Sequence, residues 1–275
     1  MYQIGIPAAP LYIHCRFSIK KDKPKTLLLC SVKQANSKME FAILAAGEGS
    51  RLANEGLTTP KPLVQLNGIP LLQRLIHTFE ANHASKIHVI VNAYSHAVAA
   101  FVKSFPATVP INLLVKTTES SLHSFFELLP FIEGDKICLT TVDTVFDPVE
   151  FSGYIAAFIS DNKTDALMAA TSFVDDEKPL FIQTTGNHTI TGFFDRKEVN
   201  CNMVSGGIYC LRRPVFSTVT NAVNNGVTRM RNLQRILVKE GFAIKAFPFS
   251  KIIDIDHVQD IATAENWLHS TKHLH

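Results

Sequence analysis

The sequence predicts an α/β fold, in which a mixed, mainly parallel sheet is flanked by helices in a Rossmann-like arrangement. From Met39 onward, apolar runs of strand length alternate with amphipathic stretches of helix length. The first apolar run, at residues 41–44, leads directly into a glycine loop. This alternation is typical of right-handed βαβ units, whose ligands bind outside the carboxyl ends of the strands. The 275 residues suffice for one large domain of this kind.

The alternation is most regular in the first half of the chain. The elements expected there are helix 69–79, strand 87–91, helix 96–105, strand 111–115, helix 121–131 and strand 136–142. The second half is more mixed. Its expected elements are strands 166–173, 189–194 and 203–211 and helices 227–239 and 257–269. Gly186-Asn187 predicts a hairpin turn between two of these strands.

Residues 1–38 differ in character from the rest of the chain. They contain seven Lys and Arg residues against Asp22 alone, and they show no sustained helix or strand period. We therefore expect a basic, disordered extension at residues 1–38, followed by one domain at residues 39–275. Met39 stands two residues before the first core strand, so the extension is expected to be dispensable and need not belong to the native product.

Charge and cysteine usage exclude several functional classes. Residues 39–275 hold 20 Lys and Arg against 23 Asp and Glu, so the domain lacks the broad basic footprint of a nucleic-acid-binding protein. The five cysteines include no C-x-x-C pair, which favours a reducing, cytoplasmic setting. No apolar run approaches the roughly 20 residues of a membrane span, so no membrane partner is expected. The sequence leaves a homo-oligomeric state open.

The glycine loop is the first candidate site. In Leu44-Ala45-Ala46-Gly47-Glu48-Gly49-Ser50-Arg51-Leu52, two glycines let backbone amides approach a polyphosphate, and the arginine can clamp phosphate oxygens. Taken alone, this pattern is weak and favours a bare turn between a strand and a helix. The next block, Pro60-Lys61-Pro62-Leu63 and then Gly68-Ile69-Pro70-Leu71-Leu72, places an extended-backbone lysine shortly after the loop.

Together these two blocks resemble the signature of the sugar-nucleotide nucleotidyltransferases, which have a glycosyltransferase A-type, Rossmann-like fold. The resemblance implies transfer of a nucleoside monophosphate from an NTP to a phosphorylated small substrate, a sugar 1-phosphate foremost, with release of pyrophosphate. It further implies Arg51 and Lys61 as catalytic residues, with Lys61 neutralising charge near the reacting phosphorus. The loop residues expected to bind nucleotide are Leu44, Ala45, Ala46, Gly47, Gly49 and Arg51.

Two aspartates are the expected ligands of Mg²⁺. Asp143 follows strand 136–142, at the sheet edge where ligands are expected, although such a residue is also common in turns and caps. The late segment Ile253-Asp254-Ile255-Asp256-His257 resembles the family's V-D-I-G-T motif, which implies Asp254 as the second ligand. Asp256 stands where the family has glycine, and it could equally be the N-cap of helix 257–269.

The base and the acceptor are less well defined. Ser120 and Ser121 occupy the position where the family contacts base and ribose, but either could simply cap a helix; Asn92 is a weaker candidate for the same pocket. Gly206 is the expected acceptor contact, because its strand resembles the family's N-A-G-I-Y strand. Asp195 could replace the sugar-binding glutamate of F-x-E-K-P. That altered motif leaves phosphocholine or another phosphorylated alcohol as an alternative acceptor.

Two rival functional classes were compared with this hypothesis. A Rossmann dehydrogenase would need a third glycine at Leu52 and an acidic residue after strand 87–91, and the sequence has neither. A noncatalytic nucleotide-binding regulator would not need the full set of Arg51, Lys61 and two aspartates. The enzyme hypothesis is therefore preferred.

Overall fold

The fold was examined in a computed structural model, which describes residues 39–174 and 177–271. The predicted extension at residues 1–38 lies outside the described residues. The strands are β1 (Glu40–Ala45), β2 (Gln65–Leu66), β3 (Ile69–Pro70), β4 (Lys86–Val91), β5 (Ile111–Val115), β6 (Lys136–Thr141), β7 (Thr144–Phe146), β8 (Ala166–Thr171), β9 (Phe181–Thr184), β10 (Ile190–Phe194), β11 (Met203–Arg212), β12 (Ile244–Phe249) and β13 (Ile252–Asp254). The helices are α1 (Ser50–Asn54), α2 (Leu71–Ala81), α3 (His96–Ser104), α4 (Ser121–Leu128), α5 (Pro148–Ser160), α6 (Pro214–Asn224), α7 (Met230–Lys239) and α8 (Val258–Thr271).

A mixed sheet forms the centre of the domain, as the alternation predicts. Strand β1 pairs in parallel with β4 and β6, and β5 extends this parallel half beside β4. Strand β11 then runs antiparallel to β6 and carries β8 and β9, while β12 joins β8 in parallel and β10 closes the edge beside β9. The carboxyl ends of β1, β5 and β6 therefore meet at one edge, where the candidate residues lie.

Helices cover both faces of the sheet. One apolar layer packs α2, α3 and α5 against the sheet around Phe41, Phe79 and Phe151. The opposite layer packs α4, α6 and α7 around Phe125 and Leu233. A third, smaller cluster joins α8 to the β2–β3 hairpin and the β7–β13 ribbon. Within the described part of the chain, no helix is both long enough and apolar enough to cross a bilayer.

Several element boundaries differ from those expected, for identifiable reasons. Helix α2 begins at Leu71 rather than residue 69, because Ile69–Pro70 pairs with Gln65–Leu66 in a hairpin. Helix α4 ends at Leu128, and a 3₁₀ turn that contains Pro130 follows it. Helix α7 begins at Met230, since the Val227 N–H instead donates to the Ala222 carbonyl at the end of α6.

Three helices were not predicted at all, namely the short helix α1 and the longer helices α5 and α6. Helices α5 and α6 each begin with a proline in the first turn, and the Asp147 side chain caps α5 by accepting from the Val149 N–H at 2.7 Å. Proline at this position is a recognised start signal for a helix. The turn expected at Gly186-Asn187 is confirmed, since it joins the antiparallel strands β9 and β10, but the first of these strands was not predicted.

Candidate functional site

A cleft of about 650 Å³ opens at the carboxyl edge of the parallel half-sheet. It is lined by Leu44 and residues 46–50, by Lys61 and Pro62, by residues 117–121 with Ser124, and by residues 141–143. We call it the glycine-loop cleft. Its size lies within the range of pockets that bind small molecules.

The glycine loop leaves the cleft open and brings Lys61 close to the backbone. A Cβ added to Gly47 would meet nothing within 4 Å, so the loop backbone borders free space at this point. Gly49 has a φ of +63°, and a Cβ there would lie 3.1 Å from the Lys61 Cβ. Glycine is therefore required at residue 49 by both its conformation and its close contact with the lysine stem.

The loop residues predicted to bind nucleotide have different surroundings. The walls of the cleft include Leu44, Ala46, Gly47 and Gly49, whereas Ala45 is buried in the core. Arg51 follows in α1 and faces the neighbouring cavity described below. The alternation of strand β1 explains why Ala45 points away from its neighbours.

Ser120 and Ser121 line the opposite wall. The Ser120 hydroxyl caps α4 by accepting from the His123 N–H at 3.4 Å, so the capping alternative holds for this residue while it also borders the cleft. Asn92 lies behind the wall, 4% exposed. Its amide donates to the Ala46 carbonyl and accepts from the Thr117 hydroxyl, and it thereby links the two loops that flank the cleft.

Lys61 forms the centre of a charged network. Its ammonium lies 2.5 Å from Asp143 Oδ2 and 2.8 Å from Asp256 Oδ1, and its side chain is only 12% exposed. Burial alone would lower the pKa of Lys61, but the two carboxylates outweigh this effect and raise it above its ordinary value. Lys61 is therefore a fully charged ammonium held at the bottom of the cleft.

The two predicted metal ligands come together on the β7–β13 ribbon. Asp143 directly precedes β7, Asp254 ends β13, and Thr144 is the register partner of Asp254. The Ile255 N–H also donates to the Asp143 carbonyl at 3.1 Å. This short antiparallel ribbon therefore brings two carboxylates from distant parts of the sequence to one place.

The donor set fits a divalent cation that is also held by substrate oxygens. Asp143 Oδ1 is buried without a hydrogen-bond partner among the described residues. Partial desolvation of its otherwise exposed side chain and the neighbouring Asp143 carboxylate raise the pKa of Asp254 above its ordinary value. No group of three His, Cys, Asp or Glu side chains suited to a metal occurs within residues 39–174 and 177–271. Mg²⁺ is commonly held by one or two carboxylates together with phosphates and water.

Asp256 is not the N-cap of the last helix. Its carboxylate lies 2.6 Å from Arg51 Nη1 and 2.8 Å from Lys61 Nζ. The N–H groups at the start of α8 have other partners: Asp260 accepts from His257, and Glu55 accepts from Val258. The N-cap alternative is therefore wrong, because the helix has other acceptors and Asp256 is turned toward the two cations.

A second cavity, of about 250 Å³, adjoins this network, and we call it the side cavity. Its charged lining comprises Arg51, Glu177, Asp254, Asp256, His257 and Asp260, and its other walls are Phe173, Pro179, Gln259 and the ends of β8, β11 and β13. The Lys61–Asp256 ion pair joins the two spaces, since Lys61 lines the glycine-loop cleft and Asp256 lines the side cavity.

Of the two predicted acceptor contacts, Gly206 borders the side cavity and Asp195 does not. A Cβ on Gly206 would lie 2.2 Å from Ile252 Cδ1, so any larger residue here would force the buried Ile252 side chain to move. Asp195 instead forms ion pairs of 2.8 Å with Arg231 and Arg235. Its place in the sequence suggested substrate contact, whereas its carboxylate is held by α7.

The sequence did not predict the ion pair between Glu55, which follows the glycine loop, and His257, which follows the late aspartate motif. Glu55, just after α1, lies 2.5 Å from His257 Nδ1. The hydrogen bond to Glu55 raises the pKa of His257, and the same bond lowers the pKa of Glu55. The two residues are distant in sequence and belong to no local motif, so only their place after the two recognised motifs could have suggested the contact.

Comparison with known sequences gives a consistent family. The sequence model of the MobA-like NTP transferase domain matches residues 41–219. The bifunctional protein GlmU of Methanococcus maripaludis is 25% identical over 236 residues, which cover 83% of this chain and 54% of that protein. A 2-aminoethylphosphonate cytidylyltransferase of Lancefieldella rimae is 26% identical over 118 residues, covering 42% of this chain and 48% of that protein. The chain thus aligns with about half the length of these relatives.

Solved structures share the fold. The inositol-1-phosphate CTP transferase of T. maritima has a TM-score of 0.69 at 20% identity, covering 82% of this chain and 91% of that one. A putative glucose-1-phosphate thymidylyltransferase of Bacillus anthracis has a TM-score of 0.72 at 20% identity, covering 83% and 94%. These likenesses confirm the predicted architecture of a mixed, mainly parallel sheet with flanking helices.

Proposed function

The chain belongs to the family of MobA-like NTP transferase domains, and from that premise we propose that it transfers a nucleoside monophosphate from an NTP to a phosphorylated small molecule, releasing pyrophosphate. The observation that carries the proposal is the position of Lys61. Its ammonium stands between Asp143 in the glycine-loop cleft and Asp256 in the side cavity, which are separate spaces for a nucleotide and an acceptor.

In this proposal the glycine-loop cleft holds the NTP. Loop amides around Gly47 bind the phosphates, and the wall at Ser120 and Ser121 contacts base or ribose. Arg51 binds the phosphates from the side-cavity side, where Asp256 links it to Lys61. Asn92 acts indirectly, because its amide fixes the loop at Ala46 relative to Thr117. Asp143 and Asp254 hold Mg²⁺, which supplies positive charge to the phosphate oxygens when bound.

The proposed reaction needs no nucleophilic side chain. An oxygen of the acceptor phosphate forms a bond to the α-phosphorus, the bond from that phosphorus to the β-phosphate oxygen breaks, and pyrophosphate leaves with the electron pair. Lys61 offsets the charge that grows during this exchange, since its buried ammonium stays protonated. Positioning and electrostatics therefore provide the catalysis.

Sugar 1-phosphates are the first acceptor class that we propose. Glu177, Gln259 and Asp260 line the side cavity with oxygen acceptors suited to the hydroxyl groups of a polyol, and Gly206 lets the backbone approach the acceptor closely. The same carboxylates would also attract the ammonium of a phosphorylated amino alcohol, which is the second class. Asp195 is not part of this proposal, because its carboxylate is held by Arg231 and Arg235.

A cytoplasmic setting is part of the proposal. Cys138, Cys201 and Cys210 are buried free thiols in the part of the chain that the structure describes. Free cysteines in such numbers are usual for proteins of a reducing compartment.

The test is a pyrophosphate-release screen. Four NTPs are combined with a panel of sugar 1-phosphates, inositol phosphate and phosphocholine, with Mg²⁺ or with EDTA. We expect release that requires an NTP, an acceptor and Mg²⁺ together, and that disappears in Asp143→Asn. Tight NTP binding without turnover on any acceptor would favour the noncatalytic regulator instead.

A further inference from the structure

Asp256 forms ion pairs with Arg51 and Lys61, the two cationic side chains that bind phosphate in the proposed site. Its Oδ2 lies 2.6 Å from Arg51 Nη1 and its Oδ1 lies 2.8 Å from Lys61 Nζ. Each carboxylate oxygen thus accepts a charge-assisted hydrogen bond, as two oxygens of a phosphate group would.

The backbone around Asp256 is held from several sides. The Asp256 N–H donates to Asp260 Oδ2 at 2.9 Å, and the next residue, His257, is bound by Glu55. Ile255 is fully buried and donates to the Asp143 carbonyl. The carboxylate therefore faces the two cations because the loop is anchored, and its sequence position is one where the resembling family motif has glycine.

We propose that Asp256 is a positioning residue that holds Arg51 and Lys61 ready in the free protein and must be displaced by the metal-bound triphosphate. The inference rests on the proposed function of the glycine-loop cleft. In this proposal the Asp256 carboxylate competes with polyphosphates for Arg51 and Lys61. A polyphosphate without a bound metal ion displaces Asp256 poorly, whereas one with a metal ion displaces it readily.

Charge balance explains this selectivity. The site contains three aspartates, at residues 143, 254 and 256, and two close cations, Arg51 and Lys61. A metal-free polyphosphate that displaces Asp256 adds several negative charges and leaves the displaced carboxylate without its partners. A divalent ion that arrives with the polyphosphate compensates both changes, so binding becomes strongly metal-dependent.

The experiment measures binding of inorganic pyrophosphate by calorimetry, in EDTA and in MgCl₂, so that base preference and turnover play no part. We expect Asp256→Asn to bind metal-free pyrophosphate about tenfold more tightly than the parent, because the amide no longer competes as an anion. The gain in affinity on adding Mg²⁺ should shrink accordingly. Asp256→Gly should behave in the same way, and it removes any hydrogen bonding by the asparagine amide.

Asp195→Asn is the matched control. Like Asp256, Asp195 is a carboxylate held by two cationic side chains, here Arg231 and Arg235, but it lies outside both cavities. The pyrophosphate affinity of Asp195→Asn should therefore equal the parent's in both buffers. Melting temperatures of all variants verify that they are folded.

Three results would overturn the inference in distinguishable ways. Metal-free affinities that are equal in the parent and both Asp256 variants would refute the competition by Asp256 alone. A large loss of Mg²⁺-dependent affinity in folded Asp256→Asn would show that Asp256 contributes to ion binding instead. No binding by the parent in either buffer would refute the proposed function and, with it, the role of Asp256.

Discussion

The glycine-loop cleft and the side cavity are neighbours built by different means. The cleft is walled mainly by a glycine-containing backbone and small hydroxyl side chains, and it is the larger space, at about 650 Å³ against about 250 Å³. The side cavity is walled by charged side chains that ion pairs hold in place, such as Asp256 with Arg51, both in the wall, and His257 with Glu55, which lies outside it. The groups in the cleft can therefore contact the phosphates and ribose that all nucleotides have in common. The side cavity instead presents one particular arrangement of charges.

This difference separates general recognition from selectivity. Backbone amides and hydroxyls tolerate variation in the remaining side chains, because the contacts depend on the path of the chain. Contacts made by carboxylates change with each substitution. We therefore expect substitutions in the cleft to affect all reactions of the protein, and substitutions of Glu177, Gln259 or Asp260 in the side cavity to redistribute acceptor preference.

The largest effect should come from the centre that the two regions share. Asp143→Asn and Asp254→Asn should each lower kcat by about 10³-fold, or about 4 kcal/mol, because each removes charge from the proposed metal site. Asp256→Asn should have a milder effect on kcat. Steady-state pyrophosphate release at saturating Mg²⁺ measures this order, and circular dichroism checks that each variant is folded. If Asp256→Asn proved more damaging than Asp254→Asn, the ligand assignment would be reversed.

A smaller effect is expected when the phosphate-binding cations are removed one at a time. Lys61→Ala should lower kcat by about 10²-fold, because the buried ammonium meets charge that develops during the reaction. Arg51→Ala should act mainly on the KM for the NTP, by about tenfold, since its side chain is half exposed and binds ground-state phosphate. Separate measurements of kcat and KM test this division. Parental kinetics in Lys61→Ala would show that the lysine has only a structural role.

Alanine substitutions of one glycine in each region should differ in their effect on the free energy of unfolding. Gly206→Ala should lower the free energy of unfolding by about 1–3 kcal/mol, since its Cβ would overlap buried Ile252. Gly47→Ala should change stability by less than about 0.5 kcal/mol, because its Cβ would enter open space, but it should raise the KM for the NTP. Urea denaturation and NTP kinetics of both variants provide the comparison. Equal losses of stability would indicate that the loop at Gly47 is packed as tightly as β11.

The smallest effect concerns the Glu55–His257 pair. The pKa of His257 is raised above its ordinary value of 6.5, so the stability that the pair contributes is complete below that pH as long as Glu55 is ionised. It is lost as the pH rises through the raised pKa of the folded state. The melting temperature of the parent should therefore fall relative to that of His257→Gln between about pH 6 and pH 9. Parallel curves for the two proteins would show that the contact contributes nothing.

The two regions also differ in how far the sequence alone predicts them. Strand β1, the loop at Gly47, Lys61 and Asp143 follow from local patterns, because a buried strand, a glycine turn and a strand-terminal carboxylate are neighbours in sequence. The partners of Asp256 lie 205 and 195 residues away, and no local period reports such contacts. Asp195 illustrates the same limit. Its place in the sequence suggested contact with the acceptor, but in the structure two arginines of α7 bind its carboxylate.

The β7–β13 ribbon has a consequence for the order of events during synthesis. Chains emerge from the ribosome N-terminus first, so the glycine loop, Lys61 and Asp143 are available well before Asp254. Strand β7 has its antiparallel partner only when residues 252–254 arrive. A chain interrupted before β13 holds most of the proposed nucleotide cleft but only one of the two carboxylates. Competence for the proposed reaction therefore requires translation through residues 252–254, and chains terminated before this strand should be inactive.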